Sequence, residues 1–339
     1  MRQNEKDLRN IFYLIKISGR IASVISATDT GELMSKIINK NEILFIAAET
    51  DYVKHGLEKD GYTVFHPYRY KTIIGRILLE IFSRLNLPQT FLFNKKITKV
   101  TAKYIIILDS IVTKKFLLWV QKNFPDSKII FKYTNMVGKA RHLLPSQIPQ
   151  GIDIWTYDKH DSEAYNIKLN KCGGYCTSLI GEKREKIYDV VYVGRDKGRA
   201  SYIMKLKKKF ESMGLVVKFL IIPTTRISRK KSYYSRPIPY KEVIKLITES
   251  RAILNVLLPD QQGATLRDYE SIYNEVKLIT TNTKIKNLDF YDKENIFILN
   301  EDNLNDLKSF LYSPYKKLSE ELLKQYSINT AVAEMIGLT

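Results

Sequence analysis

Cysteine is almost absent: 339 residues hold two, Cys172 and Cys176, beside four histidines, His55, His66, His142 and His160. The Cys-Gly-Gly-Tyr-Cys spacing lacks the second pair that a zinc site needs, and two thiols are too few for a disulfide framework, so reduced cytosolic thiols are expected. No run of eighteen apolar residues occurs and no stretch has the form of a cleavable signal peptide, which points to a cytoplasmic chain rather than a membrane-spanning one. Glycine (15) and proline (10) are scarce and hydrophobic residues make up 44%, so no disordered or low-complexity arm is expected. Acidic residues are the other deficit, 36 against 55 Lys and Arg, a net charge of +19. Such an excess calls for an anionic partner: nucleic acid, an acidic membrane surface or a phosphorylated ligand. It is spread along the chain, net +12 over residues 1–186 (30 basic, 18 acidic) and net +7 over 187–339 (25 and 18).

What is present is a repeated alternation of apolar strands and helical stripes. Ile43 to Ala48, Tyr62 to Phe65, Tyr104 to Leu108, Lys128 to Tyr133 and Ile152 to Asp158 read as buried parallel strands separated by helices. One of those helices carries a strong apolar stripe (Ile73, Ile74, Ile77, Leu78, Ile81, Phe82, Leu85) and is expected to cover the sheet, with a membrane-facing role as the alternative. Residues 8–25 form a second basic amphipathic stretch. A Gly-bearing, charged linker from Gly173 to Lys186 ends this series. A second βα series follows, with strands at Tyr188–Val193, Leu215–Ile222, Ala252–Leu258, Val276–Thr281 and Asn295–Leu299. The expected fold is therefore α/β, two Rossmann-like doubly wound domains facing a cleft: residues 1–180, residues 187–325, and a C-terminal helix over 326–339.

Chemistry is expected at the carboxyl ends of these strands, where open α/β sheets bind ligands. In the second domain, Gly194-Arg195-Asp196-Lys197-Gly198-Arg199 is a glycine turn with three cations, suited to phosphate, although its glycines do not match a GxGxxG fingerprint. The loop Pro259 to Thr265, with Gln262 and Gly263, leads into a helix that Thr265 can cap with Asp268 three residues on. Arg267 and Glu270 then stand at i and i+3: the Arg can meet a diphosphate and the Glu a ribose, or the two simply pair with each other. In the first domain Glu49, Asp51 and Asp109 end strands and are the candidates for a general base.

Tyr188 to Arg199, the Gln261 to Glu270 loop and Leu278-Ile279-Thr280-Thr281-Asn282 resemble bacterial GT-B-type glycosyltransferases of capsule, lipopolysaccharide and exopolysaccharide assembly, as does Ile154-Trp155-Thr156-Tyr157-Asp158 followed by Tyr165. The likeness covers residues 40 to 325 in order of elements and is concentrated in the second half. It implies a nucleotide-sugar donor held by the second domain and a glycan or lipid-linked saccharide acceptor held by the first. It also implies no cofactor and no catalytic metal, in keeping with the lack of a strict Asp-x-Asp. Leaving-group charge would then be met near Thr265 and by Arg267, Arg195 or Lys197. The Glu-x7-Glu pattern of many retaining relatives is missing, with Lys277 seven residues after Glu270, which leaves the anomeric outcome open. Because such acceptors are commonly lipid-linked, attachment at the inner face of the cytoplasmic membrane is expected. Two other classes compete. A basic nucleic-acid-binding protein is disfavoured because the cations are not interleaved with aromatics in a recognisable module, though the Arg226 to Arg236 loop is strongly basic. A nicotinamide-dependent enzyme is disfavoured because Glu49-Thr50-Asp51 stands where a pyrophosphate needs glycines.

Overall fold

The computed structural model describes residues 38–48, 51–70, 73–109, 112–138, 143–170, 173–224, 231–258, 261 and 263–338. By its contacts the chain divides into Met1–Asn39 and Lys40–Thr339, and both sheets belong to the second unit. The amphipathic stretch over 8–25 lies outside the described residues, as do residues 226–230 of the basic 226–236 loop.

The first sheet has six strands, β1 (Ile43–Ile46), β2 (Thr63–Phe65), β3 (Tyr104–Leu108), β4 (Lys128–Lys132), β5 (Asp153–Thr156) and β6 (Lys168–Leu169), in the order β2-β1-β3-β4-β5-β6. The second has five, β7 (Tyr188–Arg195), β8 (Val217–Ile222), β9 (Ser250–Asn255), β10 (Lys277–Thr280) and β11 (Ile296–Ile298), in the order β11-β10-β9-β7-β8. Every pairing is parallel. Each sheet starts at an inner strand, steps out to one neighbour and returns to build the other side, so each has its order reversal between its first and third strands. This is the expected α/β architecture of two Rossmann-like sheets.

The helices are α1 (Asp51–Lys59), α2 (Ile73–Arg84), α3 (Lys114–Asn123), α4 (Lys159–Tyr165), α5 (Ala200–Ser212), α6 (Tyr240–Thr248), α7 (Leu266–Tyr273), α8 (Leu307–Tyr312), α9 (Glu320–Gln325) and α10 (Ile328–Ile336). Period-2 alternation in the strands decides which helix covers which face. On β7, Val190 and Tyr192 join a core with Ile203 and Phe210 of α5 and Leu307 of α8, while Val191 and Val193 join Val243, Ile244 and Ile247 of α6. In the first sheet Leu44, Ile46, Ile105 and Ile107 pack against Phe116, Leu117 and Val120 of α3. Among the described residues no helix is long and apolar enough to cross a membrane.

The last helix does not stay with the second sheet. Tyr175 N donates to the Tyr326 carbonyl and Ile328 N donates to the Tyr175 carbonyl, Lys128 Nζ donates to the Met335 carbonyl at 3.0 Å, and Tyr62 Oη donates to Asn329 Oδ1 at 2.8 Å. Residues 326–336 thus fasten the end of the chain to the first sheet.

The stripe of α2 departs from its expected role. Leu78 and Leu79 pack against the first core, but Ile77, Ile81 and Leu85 face outward, so the helix is apolar on two sides and the sheet covers one.

Candidate active site

The two order reversals face each other, and a cavity of about 400 Å³ lies there. The first sheet contributes Leu108, Lys132, Tyr133, Thr134 and Asn135 to its wall, the second contributes Lys197, Gln261, Ala264, Thr265, Leu266 and Tyr269, and the linker contributes Gly173, Gly174 and Cys176. No carboxylate is among these described lining residues.

On the second-sheet side the expected glycine turn is shorter than the sequence suggests. β7 continues through Gly194 and Arg195, which pair with Ile221 and Ile222. Only Asp196 to Arg199 make the turn, with Lys197 (φ 43°) and Gly198 (φ 86°) in the left-handed region. Asp196 holds it: its carboxylate accepts from Thr224 N and Oγ1 at 2.8 and 2.5 Å and from Tyr234 Oη at 2.8 Å. Burial works to raise the Asp196 pKa, and these bonds outweigh it, so the group sits below its ordinary value. Arg199 turns back onto backbone carbonyls, Nε to Asp196 and Nη2 to Arg195 (both 3.0 Å) and Nη1 to Val256, which ties the β7 turn to the end of β9. Arg195 and Lys197 differ: neither side chain has a hydrogen-bond or ion-pair partner among the described residues. Burial along the cavity, then the like charges of Arg199 and Arg195, lower the Lys197 pKa.

The β9–α7 connection shows the expected cap. Thr265 Oγ1 accepts from Arg267 N at 3.2 Å, and Asp268 Oδ2 accepts from Thr265 N at 2.6 Å. Asn255, the last residue of β9, donates to Thr265 Oγ1 (3.0 Å) and Asp268 Oδ1 (2.7 Å). Asp268 has no exposed surface, and burial pushes its pKa up to about 6. Arg267 and Glu270 take the paired arrangement, the Arg267 guanidinium on Glu270 Oε2 while Tyr240 Oη donates to Oε1 at 2.7 Å. Glu270 is fully buried and Arg267 is 21% exposed. Burial raises the Glu270 pKa against the pull of Arg267 and Tyr240. For Arg267, burial opposes the charge, and Glu270 more than offsets it. Helical spacing explains why neither lines the cavity. Leu266 and Tyr269 share the row that forms the wall, and residues 267 and 270 lie one step of about 100° around the helix.

On the first-sheet side Asp109 is buried, accepting from Thr134 Oγ1 at 2.5 Å and Asn135 N at 3.2 Å, and these two neighbours, rather than the carboxylate, face the cavity. Asp51 opens α1, but its side chain lies outside the described residues, as do Glu49 and Gln262. Gly263 donates its N–H to Asp158 Oδ2 at 3.1 Å, and Gln261 Nε2 donates to Tyr157 Oη at 3.3 Å, direct bonds between the two sheets.

Two functional positions were not singled out from sequence. Lys132, the last residue of β4, is 6% exposed; its Nζ lies on the wall and donates to Asn170 Oδ1 at 2.7 Å, and Asn170 Nδ2 in turn donates to Glu334 Oε2 of α10 at 2.6 Å. A cation closing the run Ile129-Ile130-Phe131 was the available signal. Asp158 is fully buried between Asp161 N and Gly263 N, and its place just before α4 marked it as a cap but not as a tie to the other sheet. The linker glycines are also part of the site. A Cβ on Gly173 would lie 1.9 Å from the Tyr269 ring, so the backbone passes against that ring as only glycine allows. Asp158, His160 and Asp161 lie close enough together to hold a cation, with both carboxylates already accepting backbone N–H groups. The buried Cys176 thiol, its pKa raised by burial, is unsuited to nucleophilic work.

The cavity thus joins cations from both sheets, Tyr133, Tyr157 and Tyr269, and the neutral polar groups of Thr134 and Asn135. This is a lining suited to a flat ring bearing phosphate. No protein-family model matches the chain, and no curated protein does. Among solved structures, a DNA-modifying β-glucosyltransferase determined with and without uridine diphosphoglucose is similar at a TM-score of 0.41 and 13% identity, covering 87% of this chain and 96% of that one. A phosphoglycerate oxidoreductase from Vibrio cholerae O395 is similar at a TM-score of 0.24 and 10% identity, covering 88% and 99%.

Proposed function

We propose that this chain is a metal-independent glycosyltransferase that moves a hexosyl group from a nucleotide-sugar to a glycan or lipid-linked saccharide acceptor in bacterial surface polysaccharide assembly, at the inner face of the cytoplasmic membrane. The observation that carries the reading is the cavity between the two order reversals, whose second-sheet wall holds Lys197, a cation whose side chain has no partner among the described residues. As the sugar leaves, negative charge grows on the diphosphate, and donors fixed before the reaction stabilise that charge most. Lys197 on the turn, and Arg195 at the end of β7, supply such donors, and neither side chain has a partner among the described residues to give up. The N-terminus of α7, set by Thr265 and Gly263, adds its dipole. Tyr157 and Tyr269 offer rings to the base. The turn from Asp196 to Arg199 keeps its geometry because Arg199 clamps it. Arg267 and Glu270, paired with each other and with Tyr240, hold the first turns of α7 behind that wall. Asp109 is the candidate base, connected to the cavity through the Thr134 hydroxyl.

A thermal-shift panel of UDP, GDP, dTDP and CMP tests the reading. One nucleotide should raise the melting temperature, and turnover with its matched sugar should persist in EDTA. Stabilisation by a nicotinamide cofactor alone, or RNA binding that falls steeply with salt and comes without sugar transfer, would overturn it.

A further inference from the structure

We propose that the excursion from His66 to Ile97 is the surface by which the chain seats on a bilayer of anionic phospholipid. This deepens the membrane part of the reading above and rests on no feature of the donor site. The excursion is pinned at its base: Arg69 N donates to Leu92 O at 2.8 Å, Asn94 N to Pro67 O at 3.0 Å and Asn94 Nδ2 to His66 O at 2.9 Å. Its inner side is satisfied, with Leu78 and Leu79 on the first core and Phe82 edge-on to Phe91 at 5.0 Å. Lys115 of α3 holds the end of α2 by donating to the carbonyls of Asn86 and Leu87 at 2.7 and 3.0 Å.

The outer side is built differently. Ile77 and Ile81 stand at i and i+4 on one face of α2 and Leu85 follows its last residue, 53%, 43% and 63% exposed, and Leu87, Phe91 and Tyr70 on the same excursion are exposed with them. Elsewhere exposed large apolar residues occur at scattered positions such as Val216 and Tyr312. Single exposed apolar residues are ordinary, but a group on one excursion marks a contact surface.

The charge beside it selects the occupant. Lys95, Lys96 and Lys99 are exposed directly after the excursion's base. Lys54, Arg69 and Lys96 line a cavity of about 420 Å³ at the carboxyl ends of β1 and β2 that has one carboxylate, Glu58. A second copy of the chain would bring the same surplus of cations to this face. An anionic bilayer supplies both an apolar layer for the stripe and headgroup phosphates for the cavity.

Co-sedimentation of the full chain with vesicles tests the assignment. Phosphatidylglycerol-containing vesicles should carry it down at low salt and pure phosphatidylcholine vesicles should not. The double variant Ile77→Glu, Ile81→Glu should bind at least about tenfold more weakly, since each side chain loses its transfer into the apolar layer and gains a charge. Arg69→Ala with Lys96→Ala should weaken binding about fivefold for each cation removed. Val216→Glu, an equal change on the second sheet, should leave binding unchanged. Circular dichroism and a nucleotide thermal shift without vesicles establish that each variant is folded. Binding to neither lipid, equal loss in Val216→Glu, or a concentration-dependent dimer that Ile77→Glu, Ile81→Glu abolishes would overturn the proposal, the last by showing that a second copy occupies the stripe.

Discussion

The two sheets share one strand order, the first with one strand more, and differ in what they leave open beside their carboxyl edges. In the second sheet the strand ends are closed by the protein's own groups. Asp196 accepts from Thr224 and Tyr234, Asn255 donates to Thr265 and Asp268, Arg199 reaches three carbonyls, and Glu270 lies between Arg267 and Tyr240. In the first, the ends of β3 and β4 are closed in the same way, Asp109 by Thr134 and Asn135 and Lys132 by Asn170, but the excursion beside β2 leaves Ile77, Ile81 and Leu85 and a set of lysines facing solvent. A buried polar network is favourable only when every member is satisfied, and once satisfied it rigidifies what it holds. The second sheet therefore offers a fixed frame, in which the groups left over, Arg195 and Lys197, are those available to a ligand. The first sheet offers surface, where chemistry depends on what comes to cover it.

The contrast can be broken most forcefully at the buried ion pair. Arg267→Ala leaves Glu270, which has no exposed surface, without its cation. Removing one partner of a buried pair typically costs about 3–5 kcal/mol. Urea denaturation should show a loss of this order, with Glu270→Ala similar because it strands Arg267. By contrast Ile81→Glu, on the exposed stripe, should change stability by less than about 0.5 kcal/mol. A loss below about 1 kcal/mol for Arg267→Ala would mean that the pair is solvated in solution and the frame is looser than it looks. The result also limits the use of this residue as a probe of catalysis, since lost turnover in Arg267→Ala would mix lost structure with lost chemistry.

The same frame should show itself in pH dependence through Asp268, whose pKa is raised from 3.8 to about 6 by burial, against the bonds from Thr265 and Asn255. The folded protein keeps this proton up to about pH 6 while the unfolded chain releases it near 3.8, so over that interval the folded state binds more protons. The contribution to stability is then fully present below 3.8 and is lost as pH rises through about 6. Asp268→Asn does not titrate. The stability of the wild type relative to this variant should fall by about 3 kcal/mol between about pH 3.5 and pH 7. A difference that stays flat, or grows, with rising pH would show that Thr265 and Asn255 keep Asp268 ionised in spite of its burial.

The comparison also explains what sequence could and could not disclose. Ten of the eleven strands lie where apolar runs place them, because a parallel strand buried on both faces is a local signal. The exception, β6, is two residues long and pairs only with Trp155 and Thr156, so no run announces it. The Thr265 cap was legible for the same reason, since a capping box is written within four residues. Lys132 and Asp158 were not. Lys132 acts with Asn170, 38 residues on, and Asp158 meets Gly263 across 105 residues, and no periodicity encodes either meeting. Arg267 and Glu270 were found as a pair, but spacing alone does not tell a pair turned toward the cavity from one turned into the packing of α6 on α7. For α2 the apolar positions 77, 78, 81, 82 and 85 were visible, yet they span more than one face. Only the position of the core shows which half of the stripe is covered.

The sharpest form of the comparison uses the groups that the frame leaves unengaged. Arg195 ends β7 and Lys197 stands on the turn with Asp196 and Arg199, but neither side chain has a partner among the described residues, and Lys197 lies on the cavity wall. Replacing either with alanine removes no bond that holds the turn, because Asp196, Thr224 and Arg199 keep theirs. Stability should stay within about 0.5 kcal/mol of the wild type. Burial lowers the Lys197 pKa most, with Arg199 and then Arg195 adding to it, so Arg195→Ala relieves only the smallest of these effects. Affinity for the matched nucleotide diphosphate should fall by about 1.5–3 kcal/mol, the range of a hydrogen bond to a charged group, or roughly ten- to hundredfold. The nucleoside without phosphates should bind both variants as it binds the wild type. Calorimetric titration of diphosphate and nucleoside into each variant, beside its melting curve, reads all three quantities. Equal loss for nucleoside and diphosphate would move the phosphates away from this turn. Loss of stability without loss of affinity would place both cations in the frame rather than at the ligand.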